Sequence, residues 1–339
     1  MSNLSQPAGQ GTRPVVFTNR MGLRLFGILH LPAGRRTSDL AVLLLSPGVK
    51  MRVGPQGLYR RLTDCLLELG VPVLRFDCYG LGDSEGTLHE DQLRDVYNHI
   101  EVGRFVDDTI DAMDWMAREH GIRRFILSGL CGGAITGLLA GARDERVAGI
   151  LGLGITPVLA SRAADASAYM TQGQLAESRK KYVRRLANPK AWLRLLTLQS
   201  DYRLIWRFLK QPIESRLKKP TTAGAAPAPV PPPENDNANP LFPPAFFSML
   251  RRRRPMLYVF GGGDRLRWEF EEKFVARHRE TLASLPAAYE VHVVENANHV
   301  LSLREWQHEM LAVSARWMRA HFPEDVAAAP DAERVAVSA

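Results

Sequence analysis

The stretch that most constrains the fold of this chain is an apolar run that breaks into a tight turn and continues as a helix of small residues. The apolar run is residues 125–127, and the small-residue helical stretch is residues 134–140. Between them, Cys131 has Gly129 two positions before it and Gly133 two positions after it. A backbone that bends this sharply between a strand and a helix cannot accommodate bulky neighbours. The pattern therefore predicts a strand, a strained turn that presents Cys131, and a closely packed helix.

Cys131 at such a turn has two interpretations. It can be a nucleophile at the edge of the sheet, with the N–H of Gly132 at the helix N-terminus directed toward a developing oxyanion. It can also be a small, buried apolar residue, which is a common environment for cysteine. The local pattern alone is too short to decide between them.

Apolar runs alternate with amphipathic helical patterns along the rest of the chain, and this alternation predicts a parallel sheet with helical crossovers. A first antiparallel pair of strands is predicted at residues 15–19 and 23–31. The later strands are predicted at residues 40–45, 71–76, 125–128, 147–155, 255–261 and 289–294, and the helices at residues 58–69, 105–120, 134–140, 269–285 and 303–322.

One core interrupted by an insertion is the predicted domain organisation. The predicted segments are a disordered N-terminus (1–14), the first part of the core (15–156), a helical insertion (157–250) with a Pro/Ala-rich loop (220–244), the second part of the core (251–322) and a disordered tail (323–339). The insertion is assigned because its sequence contains no convincing strand, and the loop because its composition does not favour a packed helix or strand.

The net charge of +8 is concentrated in residues 157–254, which hold 18 Lys and Arg against six Asp and Glu. Basic residues alternate there with bulky apolar ones, which is typical of a helix that packs on a core while its arginines reach solvent. The alternatives are contact with an anionic membrane surface, or recognition of an acidic substrate such as a CoA thioester or a lipid-linked glycan. We expect no nucleic-acid partner, because no stacking platform or known motif accompanies the charge.

The three cysteines, Cys65, Cys78 and Cys131, are far apart and odd in number, so neither a disulfide framework nor a metal site is expected. No dinucleotide or phosphate-binding motif is present, and no cofactor is expected. The first 14 residues lack the pattern of a signal peptide, and no apolar run reaches the roughly 20 residues of a membrane span. We therefore expect a cytoplasmic protein.

Three residues that can carry chemistry each follow a predicted strand. They are Cys131, Asp264 and His299, in that order. The carboxyl ends of parallel strands meet at one edge of a sheet, where ligands bind, so these side chains are predicted to lie together. His299 would accept the thiol proton, and Asp264 would orient and stabilise the imidazolium. An imidazolium beside sulfur favours the reactive thiolate.

Each of these assignments has a structural alternative. Asp264 could be a helix N-cap or an ion-pair partner of Arg265 or Arg267, in which case Glu269 is the fallback acid. His299 could be an ordinary loop histidine. The second oxyanion donor is predicted to be the N–H of Val49, after the strand at residues 40–45.

With these residues in place, the chain resembles the α/β-hydrolase superfamily, within the group similar to serine aminopeptidases and monoacylglycerol lipases. More narrowly, it is similar to the exosortase-A-system-associated hydrolases. The matching segments are residues 47–54, 71–77 and 80–86, the turn at 129–131, Asp264 and residues 298–299. Two features depart from that narrower group, namely Gly132–Gly133 after the cysteine and the loop at residues 220–244.

The resemblance implies an α/β-hydrolase fold, with a mostly parallel eight-stranded sheet, helices on both faces and a helical lid at the insertion. It also implies a hydrolase that cleaves an ester or thioester through Cys131, His299 and Asp264, with an acyl-cysteine intermediate. Two other functions stay open. One is an acyltransferase with a hydroxyl acceptor, which would resemble polyhydroxyalkanoate synthases in its cysteine turn. The other is a non-catalytic binding module that retains the fold.

Overall fold

The computed structural model describes residues 11–33, 38–160, 237–285 and 289–326. The chain divides into two units. The first comprises Met1–Ala160 and Ala238–Ala339, and it contains every element described below. The second, Ser161–Asn237, lies outside the described residues except for its last residue. The predicted helices of the insertion, most of the loop at residues 220–244 and the proposed membrane or acidic-substrate contact therefore also lie outside the described residues.

Eight strands and eight α-helices form the described part of the first unit. In chain order they are β1 (Gly11–Thr18), β2 (Arg24–Leu31), β3 (Leu40–Leu45), α1 (Leu58–Glu68), β4 (Val73–Phe76), α2 (Leu93–Glu101), α3 (Val106–His120), β5 (Arg124–Leu130), α4 (Gly132–Arg143), β6 (Val147–Leu153), α5 (Phe242–Arg251), β7 (Met256–Gly261), α6 (Arg265–Phe270), α7 (Arg279–Ser284), β8 (Tyr289–Val294) and α8 (Arg304–His321).

The strands form one sheet in the order β1-β2-β4-β3-β5-β6-β7-β8. β2 is antiparallel to β1 and to β4, and every other neighbouring pair is parallel. The predicted eight-stranded, mostly parallel sheet is thus confirmed. β5 lies at the centre of the parallel part, so the turn that follows it is flanked by strand ends on both sides.

Helices cover both faces of the sheet, as predicted, and each face has its own apolar core. In β3, which is buried throughout, Ala41, Leu43 and Leu45 pack in the core that includes side chains of α3 and α4. The intervening Leu40, Val42 and Leu44 pack in the core that includes α1 and α8. This two-sided burial explains why the strand is a continuous apolar run rather than an alternating one.

Helix α5 corrects the predicted boundaries of the insertion and of the Pro/Ala-rich loop. Phe242 and Phe246, one helical turn apart, are fully buried, and the ring of Phe246 stacks on that of Tyr258 in β7 with the ring centroids 5.8 Å apart. Residues 238–250 therefore belong to the core, and their prediction as part of the lid was wrong. The Pro-rich composition concealed the helix, because Pro243 and Pro244 occupy its first turn, where no backbone N–H is needed.

Both predicted disordered ends were too long. β1 begins at Gly11 rather than Val15, because Gly11 pairs with Leu31 at the end of β2. After α8, Asp325 is buried and accepts a hydrogen bond from Arg124 at 2.9 Å, which fixes residues 323–326 to the core. These long-range partners override the polar local sequence.

The arginine run at residues 251–254 has a structural role in the first unit. Arg252 donates to the carbonyl oxygens of Gly141 and Ala142, at 3.1 and 3.0 Å, and Arg254 donates to that of Glu145. Carbonyl groups at a helix C-terminus lack partners within the helix, so the guanidinium of Arg252 caps the end of α4 and that of Arg254 binds Glu145, which follows the helix. Across the ranges described above, no helix is both long and apolar enough to cross a membrane.

Candidate active site

Cys131 occupies the turn between β5 and α4, with φ 54° and ψ −112°. This is a conformation that non-glycine residues rarely adopt, and it is maintained by close packing of the neighbouring backbone. A Cβ on Gly129 would lie 2.6 Å from the carbonyl carbon of Gly133, and one on Gly133 would lie 2.7 Å from the carbonyl oxygen of Leu45. The N–H of Cys131 donates to Leu153 in β6 at 2.9 Å. Gly129 and Gly133 are therefore required by close contact, while the unusual backbone angle lies at Cys131.

Gly132 and the loop after β3 face each other across a very short gap. A Cβ on Gly132 would lie 2.8 Å from the Cα of Gly48. As the first residue of α4, Gly132 has no carbonyl one helical turn earlier to accept its N–H. Val49 follows Gly48 and is half-buried. The structure thus brings together the two segments predicted to supply the oxyanion donors.

His299 and Asp264 are also adjacent. The Nδ1 atom of His299 lies 2.8 Å from Oδ2 of Asp264, whose side chain is almost completely buried. Oδ1 of Asp264 accepts a hydrogen bond from the N–H of Leu266 at 3.0 Å and caps α6. Asp264 is therefore both the partner of the histidine and a helix N-cap.

The pKa of His299 reflects this environment and its contact with Cys131. Burial alone lowers the pKa, but hydrogen bonds to Asp264 and Cys131, together with their negative charges, outweigh burial and raise it to about 10. His299 is half-buried, its Nδ1 atom binds the carboxylate of Asp264, and the charge of Cys131 also raises its pKa. An imidazolium at this position stabilises a thiolate on one side and is itself stabilised by a carboxylate on the other.

Two glycine segments allow the strand ends to approach so closely. A Cβ on Gly154, just after β6, would lie 3.1 Å from Oδ2 of Asp264 and 3.3 Å from the ring of His299. A Cβ on Gly261, at the end of β7, would lie 2.6 Å from the carbonyl oxygen of Ala297, in the loop that carries His299. The triple glycine at residues 261–263 therefore forms a tight turn at the end of β7, where two loops pack backbone to backbone.

Tyr59 binds the backbone next to the turn, and the sequence analysis did not identify it. Its side chain is fully buried, and its hydroxyl donates to the carbonyl oxygen of Leu45 at 2.7 Å and accepts from the N–H of Leu130 at 2.8 Å. The hydroxyl thus joins the ends of β3 and β5. Tyr59 interrupts the apolar face of an amphipathic helix with a polar group, which is the one signal in the sequence that could have indicated it.

The loop after β3 is anchored by a buried ion pair. Arg52 binds Asp77, which is completely buried after β4, and also Asp83, with Nη2 and Oδ2 2.6 Å apart. Burial raises the pKa of Asp77, an effect opposed by its hydrogen bonds and by the charge of Arg52. Asp77 and Asp83 lie in the segments 71–77 and 80–86 that match the family resemblance. They hold the segment that carries Val49.

Helix α2, which the sequence analysis did not predict, covers the gap between Gly48 and Gly132. A Cβ on Gly48 would lie 2.6 Å from Cε1 of Tyr97, and one on Gly132 would lie 3.0 Å from Cγ2 of Ile100. The spacing of the buried residues Val96 and Ile100 is the helical signal that could have revealed this element.

Two other residues with reactive side chains, Ser128 and Glu269, do not take part in this arrangement. Ser128 lies within β5 and is buried, so it is not presented at the turn. Glu269, the fallback acid, is buried and accepts a hydrogen bond from Thr156 at 3.3 Å, while Asp264 is the carboxylate that binds His299. In the part of the chain that the structure describes, no three His, Cys, Asp or Glu side chains are arranged to hold a metal ion.

The fold and this cluster define a class of protein. A mostly parallel sheet in which a sharp strand–helix turn presents a nucleophilic side chain, followed along the chain by an acid and a histidine, is the architecture of the α/β-hydrolases. The family profile described as the alpha/beta hydrolase family matches residues 43–313. The chain belongs to this family.

Solved structures agree with this fold. The chain is similar to an esterase of Pyrococcus furiosus, Pf2001 (16% identity, 92% of this chain and 91% of that chain covered, TM-score 0.55). It is also similar to a dienelactone hydrolase of Anabaena variabilis (14%, 92% and 98%, 0.52) and to the α/β-hydrolase GrgF of a Penicillium species (18%, 92% and 99%, 0.52). Among curated protein sequences, no match is found.

Proposed function

We propose that this chain is a hydrolase that cleaves an ester or thioester through an acyl-cysteine on Cys131. The observation that carries the proposal is the hydrogen bond between Asp264 and His299, whose raised pKa also reflects Cys131 at the strained turn. The names of two fold neighbours, an esterase and a dienelactone hydrolase, support hydrolysis of an ester bond.

The first half of the proposed reaction forms the acyl-enzyme. His299 holds the proton of the thiol, and the sulfur of Cys131 attacks the substrate carbonyl to give a tetrahedral oxyanion. The N–H groups of Gly132 and Val49 would stabilise that oxyanion. The carbonyl re-forms as the bond to the leaving group breaks, and the leaving alcohol or thiol takes the proton from His299.

The second half consumes water. His299, now neutral, takes a proton from a water molecule that attacks the thioester carbonyl of the acyl-cysteine. The second oxyanion collapses, the carbon–sulfur bond breaks, and the carboxylic acid leaves. Cys131 is regenerated as the thiolate beside the imidazolium, so atoms and charges balance over the cycle.

Mass spectrometry of the intact protein tests this proposal. The protein is exposed briefly to a panel of acyl thioesters and nitrophenyl esters, and its mass is measured with the turnover. The wild type is expected to gain one acyl group, and Cys131→Ala to lose both the adduct and the turnover. Cys65→Ala is the matched control, because Cys65 is half-buried on α1, where its sulfur contacts the Leu311 carbonyl oxygen. A wild type that forms no adduct and gives no Cys131-dependent turnover across the panel would favour the binding module.

An acyltransferase is the second candidate, and sulfur at the turn is the observation that favours it. An acyl-cysteine is itself a thioester, so it exchanges with an incoming thioester at nearly balanced free energy and stays reactive toward alcohols. Adding alcohol acceptors to the acylated protein separates the two reactions. Free acid as the sole product supports the hydrolase, whereas an ester of the added alcohol as the main product supports the transferase.

A further inference from the structure

Helix α2 presents two side chains to the segments that carry the proposed oxyanion donors. Tyr97 and Ile100 are three residues apart, so they share one face of the helix. The first packs on Gly48 and the second on Gly132. The face that they form covers the gap between the loop after β3 and the start of α4.

The hydroxyl of Tyr97 lies at this gap. A Cβ on Gly48 would be 3.2 Å from that hydroxyl oxygen, and the Cα of Gly48 itself is in close contact with Gly132. Tyr97 is half-buried rather than enclosed. Within the described ranges, its hydroxyl has no hydrogen-bond partner, although the hydroxyl of Tyr59, on the other side of the turn, has two.

The charge of Cys131 also affects the pKa of the Tyr97 hydroxyl. Burial raises the pKa of Tyr97, and the negative charges of Cys131 and Glu101 raise it further. Because the raised pKa keeps the proton on the oxygen at neutral pH, Tyr97 is a hydrogen-bond donor there. A donor within the electrostatic range of Cys131, beside Gly48 and without an acceptor among the described residues, is available to a group bound on the sulfur.

We propose that the Tyr97 hydroxyl donates a third hydrogen bond to the oxyanion formed on Cys131, beside the N–H groups of Gly132 and Val49. Tyr97 would then be a catalytic residue, and this inference rests on the proposed acyl-cysteine function. The ligand class is the tetrahedral oxyanion of an ester or thioester. The alternative is that Tyr97 only packs its ring on Gly48.

Two reactions of Cys131 separate these roles. Acylation by 4-nitrophenyl acetate passes through an oxyanion, whereas alkylation by iodoacetamide displaces iodide from a saturated carbon and forms no oxyanion. Both reactions need the same thiolate and the same fold. The Tyr97→Phe variant retains the ring that packs on Gly48 and removes only the hydroxyl.

We expect Tyr97→Phe to slow single-turnover acylation by about 10²-fold, the effect of removing one oxyanion donor, and to leave the alkylation rate within about twofold. Tyr79→Phe is the matched control and should change neither rate, because Tyr79 is also half-buried but packs on Phe105 and Arg104. Equal acylation in Tyr97→Phe and wild type, or equal slowing of both reactions, would overturn the role of Tyr97. A wild type that is alkylated but never acylated would overturn the proposed function instead.

Discussion

At the scale of single residues, Asp264 has a different partner on each carboxylate oxygen. One oxygen binds His299, and the other caps α6 through the N–H of Leu266. Asp264 thus contacts the predicted histidine and is also the helix N-cap that the sequence offered as an alternative. A neutral amide can keep the cap, because asparagine is as good an N-cap as aspartate, but it cannot supply the negative charge.

Asp264→Asn should therefore remove the negative charge beside His299 and keep the helix N-cap. Loss of the carboxylate lowers the pKa of His299 from its raised value of about 10, because a neighbouring opposite charge favours the imidazolium by one to three pKa units in typical sites. The imidazole then holds the sulfur proton less well, and we expect alkylation of Cys131 by iodoacetamide at pH 6 to slow by about tenfold or more. The measurement is the alkylation rate between pH 5 and pH 9, which should recover in the variant as the pH rises.

Glu309→Gln provides the control for this experiment. Glu309 binds His292 at 2.7 Å in a similar carboxylate–histidine pair on the surface, remote along the chain from Cys131. Its substitution should leave the alkylation profile unchanged. An Asp264→Asn profile that overlays the wild type would show that the carboxylate does not govern the state of His299.

At the scale of elements, the sequence predicted best the bounds of those strands whose ends are marked by turn residues. The bounds of β3 and β8 agree with the prediction, because turn residues mark their ends. The placement of Cys131, Asp264 and His299 was predictable for a related reason. Each follows a strand, and the carboxyl ends of parallel strands lie at the same edge of a sheet. Recognising the three strands is therefore enough to predict that these residues lie together.

The supporting groups could not be predicted in the same way. The hydroxyl of Tyr59 meets Leu130, 71 positions away along the chain, and nothing local to either residue indicates the contact. The contacts of Gly154 with Asp264 and His299, and of Tyr97 with Gly48, join segments that are far apart in the sequence. Helix α2 follows a polar, Gly-rich loop, and its short apolar face was not recognised as a helical pattern.

Helix α5 is the element whose assignment changed most, and its packing gives a stability prediction. Phe246 stacks on Tyr258 and contacts Phe274 with the ring centroids 4.7 Å apart. Truncation of a fully buried phenylalanine removes buried area and leaves a cavity, so we expect Phe246→Ala to lower the free energy of unfolding by about 3–5 kcal/mol. Leu241→Ala, at an exposed position just before the helix, should change it by less than about 1 kcal/mol. Urea denaturation followed by circular dichroism measures the free energy of unfolding of both variants. If Phe246→Ala lowers it as little as Leu241→Ala does, residues 242–251 do not belong to the core.

At the scale of the whole molecule, Glu101 joins the two points where the chain leaves and re-enters the core unit. Its carboxylate accepts a hydrogen bond from the N–H of Ala160 at 2.7 Å, and its carbonyl oxygen accepts one from the side chain of Asn239 at 2.6 Å. Burial raises the pKa of Glu101 to about 7, with a further rise from the charge of Glu269 that is opposed by the Ala160 N–H and by Arg265. A structural junction of the core thus carries a carboxyl group that titrates near neutrality.

The sign of the resulting pH dependence follows from proton binding. The folded protein keeps the Glu101 proton up to about pH 7, whereas the unfolded chain loses it near the ordinary glutamate pKa, so stability falls as the pH rises between these values. At about 1.4 kcal/mol per pKa unit, the loss is roughly 3 kcal/mol. Glu101→Gln retains an oxygen for the Ala160 N–H and cannot ionise. We expect its melting temperature to vary less between pH 5 and pH 7.5 than that of the wild type and to exceed it at the upper end.

Glu119→Gln, at an exposed position of α3, is the reference substitution for thermal melts over the same pH range. It should reproduce the wild-type pH dependence, because an exposed carboxyl group is solvated in both the folded and the unfolded chain. If Glu101→Gln also follows the wild-type curve, the carboxyl group of Glu101 ionises without cost to the fold. If the variant instead melts lower at every pH, the loss of hydrogen-bond geometry at Ala160 outweighs the removal of the charge, and the junction depends on the shape of the glutamate rather than on its protonation.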